Sequence, residues 1–376
     1  MLGYYIHVDL TKDLGVNKKV SYQIEELKKV SEVREIVLET NNSFLLKLFC
    51  VLPLVYPCRY NYEKALTQID NPSYIYIRKN MFLDKYFVSF LSKLKSKFPT
   101  CKVIFEIPTF PYLREYLISL KLIPLIYKEI YYSFFCKRYI DRIVTYSPHN
   151  KIFNIKTIPI MNGVDFSAFK VKLPSPLDDV ITMIAVSMCA PWHGYERIIK
   201  GLYEYKLNGG TRKIRFLLVG DGKELLFYKK LVKQFSLENY VVFAGKQNGE
   251  SLETLYNEAD LGLGSFGFYK IGLSLGSSLK TREYLCKGLP VISGCKQDLF
   301  LKYPCDFHLE FTNDNSVVDI NVIIAFYDHL FQSGSNKNLI KLQLIDNIRE
   351  YAYRHVSMES TYSPVLSFIT ENLEVK

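Results

Sequence analysis

The eight cysteines, Cys50, Cys58, Cys101, Cys136, Cys189, Cys286, Cys295 and Cys305, are scattered along 376 residues, and none forms a C-x-x-C pair. That spacing excludes the usual zinc-chelating frameworks and leaves reduced, mostly buried thiols. The N-terminus, Met1-Leu2-Gly3-Tyr4-Tyr5-Ile6-His7-Val8-Asp9, lacks a basic segment followed by a long apolar run and a small-residue cleavage site. No signal peptide is therefore expected, and the expected compartment is the cytoplasm. The longest apolar run, Phe44 to Cys58, is broken by Lys47 and Pro53. It falls short of the ~20 residues that a membrane-spanning helix needs. No low-complexity tract and no repeat with a period of about 20–50 residues is visible, which sets aside disorder and solenoid architectures.

What is present fits a folded protein of two domains. Apolar residues make up 48% and charged residues 23% of the chain, and its length is suited to two cores of ordinary size. The net charge of +10 favours an anionic partner, a description met by nucleotide diphosphates, nucleic acid and acidic lipid headgroups alike. Nucleic acid is not expected, because the basic residues are dispersed and the aromatic ones fit core strands and helices. One stretch departs from this even spread. From Tyr112 to Arg142, Tyr, Phe, Leu and Ile interleave with Arg114, Lys121, Lys128, Lys137 and Arg138. A helix there either lies in an anionic membrane interface or packs on its own sheet with a solvated basic face. The first alternative would make the protein peripheral on the inner face of the cell membrane.

Short β-rich runs alternate with stretches of helical period, the grammar of parallel sheets covered by helices. Strands are expected at Leu2–Val8, Val33–Leu38, Tyr74–Ile77, Lys102–Ile107, Arg142–Thr145 and Lys156–Pro159. They resume at Ile181–Ser187, Arg215–Val219, Val241–Ala244, Leu261–Gly264, Pro290–Ile292 and Phe307–Phe311. Helices are expected over Asn17–Val30, Leu83–Lys97 and much of Tyr112–Arg138. Between Met161 and Pro176, turn formers replace periodicity, which puts the domain junction there. The expected domains are 1–165 and 166–356. After Asn313 the pattern is helical only, and residues 357–376 are expected to form a helix returning to the first domain.

In open parallel sheets ligands bind outside the carboxyl ends of the strands. The strand Ile181–Ser187 runs into Met188-Cys189-Ala190-Pro191-Trp192-His193-Gly194 and then a helix. Free amides there, with His193, suit a phosphate, although a plain strand-to-helix turn has the same signature. Gly220-Asp221-Gly222 permits a tight turn, and Gly245-Lys246-Gln247 is a place for a nucleobase or an ordinary loop. Gly276-Ser277-Ser278-Leu279-Lys280 reads as a loop and N-cap whose helix begins with unpaired amides able to accept diphosphate charge. Glu283, one turn from both Lys280 and Lys287, suits paired ribose hydroxyls or, alternatively, a helical salt bridge.

Taken in order, Asn162-Gly163-Val164-Asp165, Trp192-His193-Gly194-Tyr195-Glu196-Arg197, Val219-Gly220-Asp221-Gly222, Phe243-Ala244-Gly245, Leu255-Tyr256-Asn257-Glu258-Ala259-Asp260 and Leu279-Lys280-Thr281-Arg282-Glu283-Tyr284-Leu285 with Gly288-Leu289-Pro290-Val291-Ile292 resemble glycosyltransferase family four. The resemblance covers roughly the last three fifths of the chain well and the rest loosely. It implies the GT-B fold, two Rossmann-like α/β domains facing across a cleft. It also implies a retaining, metal-independent transfer of a sugar, hexosyl or related, from a nucleotide-diphosphate sugar to a glycan or lipid-linked acceptor in surface polysaccharide synthesis, with no cofactor. By this likeness Glu283 holds the ribose, and Gly276, Ser277 and Ser278 meet sugar and diphosphate. Gly15 and Lys18 lie at a glycine loop near the phosphates, and Glu106, Pro108 and Thr109 lie on the acceptor and sugar side. The sequence departs from the family in three places: Leu275 replaces a glutamate that touches the sugar, and Met188 and His193 replace an Arg and a Lys. Diphosphate neutralisation then falls to Lys280, Arg282, helix amides or Lys18. The same replacements admit a second reading, a catalytically weak nucleotide-binding or partner subunit of a glycosyltransferase complex.

Overall fold

The computed structural model describes residues 1–9, 14–40, 58–79, 82–108, 110–111, 123–175, 180–331 and 337–371. The chain divides into two compact units, the first made of Met1–Met161 and Thr361–Lys376 and the second of Asn162–Ser360. The division falls four residues before the expected 165/166 boundary. The reason is local: Val164 exchanges backbone hydrogen bonds with Val356 and Met358, both 2.9 Å, so Asn162–Asp165 is tied into the second unit.

The first unit holds a seven-stranded sheet. Its strands are β1 (Leu2–Val8), β2 (Glu32–Leu38), β3 (Tyr74–Arg78), β4 (Lys102–Ile107), β5 (Arg142–Thr145), β6 (Lys151–Ile152) and β7 (Ile155–Pro159), in the order β2-β1-β3-β4-β5-β7-β6. All pairings are parallel except the β6–β7 hairpin. β3 is buried along its whole length, as a central strand covered on both faces must be. The covering helices include α1 (Leu14–Lys28), α2 (Tyr62–Thr67), α3 (Lys85–Lys97) and α4 (Ile123–Cys136). Helix α3 starts where Asp84 accepts the Phe87 amide at 2.8 Å, and it buries Phe87, Phe90, Leu91 and Leu94 against the sheet.

The second unit has a six-stranded, wholly parallel sheet. Its strands β8 (Val180–Val186), β9 (Lys213–Val219), β10 (Val241–Gly245), β11 (Leu261–Leu263), β13 (Val291–Ser293) and β15 (His308–Glu310) follow the order β10-β9-β8-β11-β13-β15. A two-residue pair, β12 (Leu275–Gly276) with β14 (Lys296–Gln297), stands apart from it. The order steps outward from β8 in both directions, so the switch point lies between β8 and β11. The helices of this unit are α5 (Glu196–Leu207), α6 (Leu225–Gln234), α7 (Gly249–Glu258), α8 (Leu279–Lys287), α9 (Asp298–Lys302), α10 (Ile320–Phe331) and α11 (Lys337–Val356), and α12 (Met358–Glu371) follows. Among the described residues no helix is long and apolar enough to cross a membrane.

Candidate functional site

Helix α8 lies over the carboxyl ends of the strands at the switch point. The Tyr284 hydroxyl accepts the amide of Val186, the last residue of β8, at 2.9 Å and donates to the carbonyl of Leu263, the last residue of β11, at 3.3 Å. Gly262 lets the ring through, since a Cβ there would stand 2.6 Å from Tyr284 Cδ2. At its far end α8 stops at Gly288, whose φ of 83° lets the Gly288 and Leu289 amides return to the last turn. At its start the capping residue Ser278 makes no side-chain hydrogen bond to the helix. The first amides of α8 therefore keep their donor capacity, and with it the positive end of the helix dipole.

The loop leading into α8 is clamped. Asn162 donates to both the carbonyl and the hydroxyl of Ser277, at 3.1 and 3.0 Å, and the Ser277 hydroxyl donates to Asp298 at 2.7 Å. Asp298 also receives Arg282 through both oxygens, at 2.8 and 2.9 Å, while the other terminal nitrogen of Arg282 holds the Ser278 carbonyl at 2.9 Å. Arg282 is fully buried by this arrangement. Both terminal nitrogens of its guanidinium hold the loop, while its buried Nε has no partner among the described residues.

Against the start of α8 stands the turn that follows β8. Residues Pro191–His193 form one 3₁₀ turn, and Gly194 takes φ 63° where a Cβ would lie 2.5 Å from the Gly267 nitrogen. The crossing is held by the Phe266 amide on the His193 carbonyl at 2.7 Å. The imidazole of His193 is buried and stacked on Tyr195, with ring centroids 5.7 Å apart. Burial, seconded by Lys280, pushes its pKa down to about 3. The Ala190 amide donates to Nδ1 at 3.0 Å, so the neutral ring carries its proton on Nε2, as a donor. Lys280, the second residue of α8, donates to the Tyr195 hydroxyl at 2.9 Å, and burial lowers its pKa to about 7.

Glu283 is half-buried one turn further on. The flanking lysines go elsewhere: Lys287 meets both oxygens of Glu253 at 2.7 and 2.6 Å, and Lys280 meets Tyr195. Of the expected donor-side residues, the structure thus gathers His193, Gly194, Ser277, Ser278, Lys280 and Glu283 around α8, with Leu279 exposed at its first position and Gly276 buried in β12. Gly220 directly follows β9 with φ 129°, where a Cβ would lie 1.9 Å from the Ser187 carbonyl oxygen, so it packs against the loop that follows β8. Lys246 follows β10, the edge strand, about three strand spacings or roughly 15 Å from β11, and is exposed. It does not join the group at α8.

In the first unit Gly15 is the second residue of α1, Lys18 is exposed on the same helix, and Pro108 follows β4 half-buried. Thr109 lies outside the described residues. Glu106 lies inside this unit. It is fully buried, one oxygen takes the Arg78 guanidinium and Tyr146 at 3.3 Å, and the other takes Tyr76 at 2.7 Å and Gln23 at 3.1 Å. With four donors on its two oxygens, the carboxylate is held by partners within this unit. The residues that sequence reasoning missed are Tyr195, Asp298 and Tyr284, whose hydrogen bonds seat α8 and its leading loop. Asp298 has no local signature, since its two partners lie 16 and 21 residues earlier.

Beyond this site, one surface stands out. Along α4 the side chains of Ile123, Tyr127, Ile130, Tyr131 and Phe134 are all exposed, Phe134 by 74% and Tyr127 by 65%, at spacings that put them on one helical face. The exposed Lys137 and Arg138 follow directly. The remainder of the expected segment, 112–122, lies outside the described residues.

No family model matches the sequence, and neither does any curated protein. Solved structures do. A glycosyltransferase from Rickettsia africae ESF-5 superposes with a TM-score of 0.63 at 14% identity, over 100% of this chain and 99% of that one. HepE of Anabaena, in complex with UDP, gives 0.60 at 13% identity over 99% and 100% of the two chains. Sucrose-phosphate synthase from Thermosynechococcus elongatus gives 0.60 at 16% identity over 100% of both. At such identities the likeness is one of fold: end to end, this chain has the GT-B fold of these glycosyltransferases.

Proposed function

We propose that the protein is a glycosyltransferase that binds a nucleotide-diphosphate sugar at α8 and transfers the sugar to a hydroxyl of a glycan or lipid-linked acceptor. The observation that carries this reading is the uncapped start of α8, set between the Nε2 donor of His193 and the amine of Lys280, with Glu283 one turn along. An anion at that place meets helix amides, a neutral donor and a cation, which is what a departing nucleoside diphosphate needs as charge develops on it. Glu283 then takes the ribose hydroxyls. HepE of Anabaena is known in complexes with UDP and with UDP-glucose, which recommends uridine nucleotides as first probes. The reaction in this reading retains anomeric configuration, uses no metal, and serves surface polysaccharide synthesis in the cytoplasm.

Glu283→Ala tests the assignment. Loss of two hydrogen bonds to a charged group costs about 1.5–3 kcal/mol or more, so kcat/KM for transfer falls at least roughly 10- to 100-fold while the circular dichroism spectrum is unchanged. Undiminished transfer would refute it. Met188, 76% exposed, and the neutral His193 favour the second reading, a nucleotide-binding partner subunit, since neither brings a positive charge. That subunit would bind nucleotide yet show neither transfer nor hydrolysis with UDP-, GDP- and dTDP-sugars. The apolar, aromatic face of α4, followed by Lys137 and Arg138 on a chain of net charge +10, fits an anionic membrane surface bearing the acceptor.

A further inference from the structure

Lys280 occupies a place where an ammonium is disfavoured on two counts. It is the second residue of the nine-residue helix α8, inside the turn whose unpaired amides form the positive end of the dipole. Among the described residues its hydrogen-bond partner is the hydroxyl of Tyr195, a neutral group whose own proton is held more tightly because of burial. In the other direction, the amine lies over the Tyr195 ring, 5.5 Å from its centroid, a contact that favours the charged form, while the nearby His193 is itself neutral and brings no charge of either sign. Of the titratable groups that face it, Cys189 comes from the loop after β8, Tyr195 and His193 from the following turn, and Glu283 from its own helix. Cys189 and Glu283 both favour the charged amine, and the reading above gives the Glu283 carboxylate to the nucleoside. Burial, as the largest influence, accordingly brings the amine down to about 7, against the opposing pull of Cys189 and Glu283.

We propose that nucleotide-sugar enters this site together with a proton: Lys280 gives up its hydrogen bond to Tyr195, turns to a diphosphate oxygen, and becomes an ammonium as it does so. The proton comes from solvent, and the bond formed is N–H on the amine. The free site thereby avoids a half-buried charge whose hydrogen-bond partner is a neutral hydroxyl, and the bound site gains the cation that Met188 and His193 do not supply. The inference rests on the reading of α8 as a diphosphate site. It adds that the cation is created by the ligand.

Calorimetry of the full chain with UDP-, GDP- and dTDP-glucose at pH 8, in HEPES and in Tris, separates the two claims. The diester diphosphate of these probes does not titrate near neutrality, so a difference in heat between the buffers counts protons taken up by the protein. Between about half a proton and one proton per bound ligand is expected at pH 8, falling toward zero at pH 6. Lys280→Arg, charged at all these pH values, keeps measurable binding and loses the buffer dependence, and Lys280→Met weakens binding tenfold or more. Binding with equal heats in both buffers at pH 8 overturns the proton claim alone, as does uptake that persists in Lys280→Arg, which would assign the proton to another group. Failure of all three probes to bind overturns the diphosphate reading, and this inference with it.

Discussion

His193 and His308 are both held neutral by burial, with pKa values pushed down to about 3 and about 4. His308 stacks on Phe300 with ring centroids 3.7 Å apart, and its Nε2 shares a hydrogen bond with the Ser293 hydroxyl at 2.9 Å. In each case the folded-state pKa lies below that of a free imidazole, about 6.5. As pH falls through about 6.5 the unfolded chain takes up the proton first, so stability is lost between there and about 4, and is untouched above. Each group contributes a slope of up to about 1.4 kcal/mol per pH unit within that window. Urea unfolding at pH 7.5, 6 and 5 should show stability falling gently across the first interval, which spans the free imidazole value, and more steeply per pH unit across the second. His308→Phe should remove one proton's worth of that fall; an unchanged slope in the variant would show that the ring was already charged or solvated. The same reasoning explains why the site was only partly legible. His193 and Lys280 could be named as phosphate contacts from their places in a loop and a helix. The proton each carries is decided by Tyr195, Ala190 and burial, which the linear order does not reveal.

Helix α4 shows how an element can be read correctly in part. Its apolar and aromatic content was evident, as were the two alternatives of a packed helix and an interfacial one, and the structure displays both faces. Leu125, Ile126 and Cys136 are buried, together with Glu129, which accepts the Leu83 amide at 2.5 Å, and the opposite face carries Tyr127, Tyr131 and Phe134 in the open. If that open face rests in a bilayer interface, Phe134→Ser removes about 1.5–3 kcal/mol of burial and weakens co-sedimentation with anionic vesicles roughly 10- to 100-fold. Because Phe134 is exposed in the protein, its melting temperature should hardly move. Equal binding by variant and parent, or recovery of the parent wholly in the supernatant, would rule this surface out. Strands were the most legible elements, because each buried run between turn formers is short and apolar: Leu2–Val8, Lys102–Ile107 and Arg142–Thr145 stand where the pattern put them. The two-residue pair β12–β14 was not visible. It arises from packing, as Gly276 passes within 2.4 Å, at its Cβ position, of the Gln297 amide.

On the scale of the whole molecule, the chain's last helical residues belong by contacts to its first unit although they follow the second. Three side chains from that stretch, Tyr362, Val365 and Ile369, are almost wholly buried, and the Tyr362 ring lies 6.2 Å from that of Tyr76 on β3. Arg142, at the start of β5, sits over the Phe368 ring at 5.0 Å. Removing three buried apolar side chains forfeits about 1.5–3 kcal/mol each, a sum comparable with the ~5–15 kcal/mol that holds an ordinary domain together. The second unit keeps its core in that case, since its hydrophobic cluster draws on buried residues from Ile181 to Phe331 with Leu344 packed against them, all of which precede Ser360. A chain ending at Ser360 should therefore lose the first unit selectively. Limited proteolysis should cut within residues 1–161 while a fragment beginning near Asn162 resists, and far-ultraviolet circular dichroism should fall by the share of the lost elements. Equal resistance of both units, with an unshifted melting curve, would show that the first sheet and its own helices suffice, and that the terminal stretch adds packing without being required for folding.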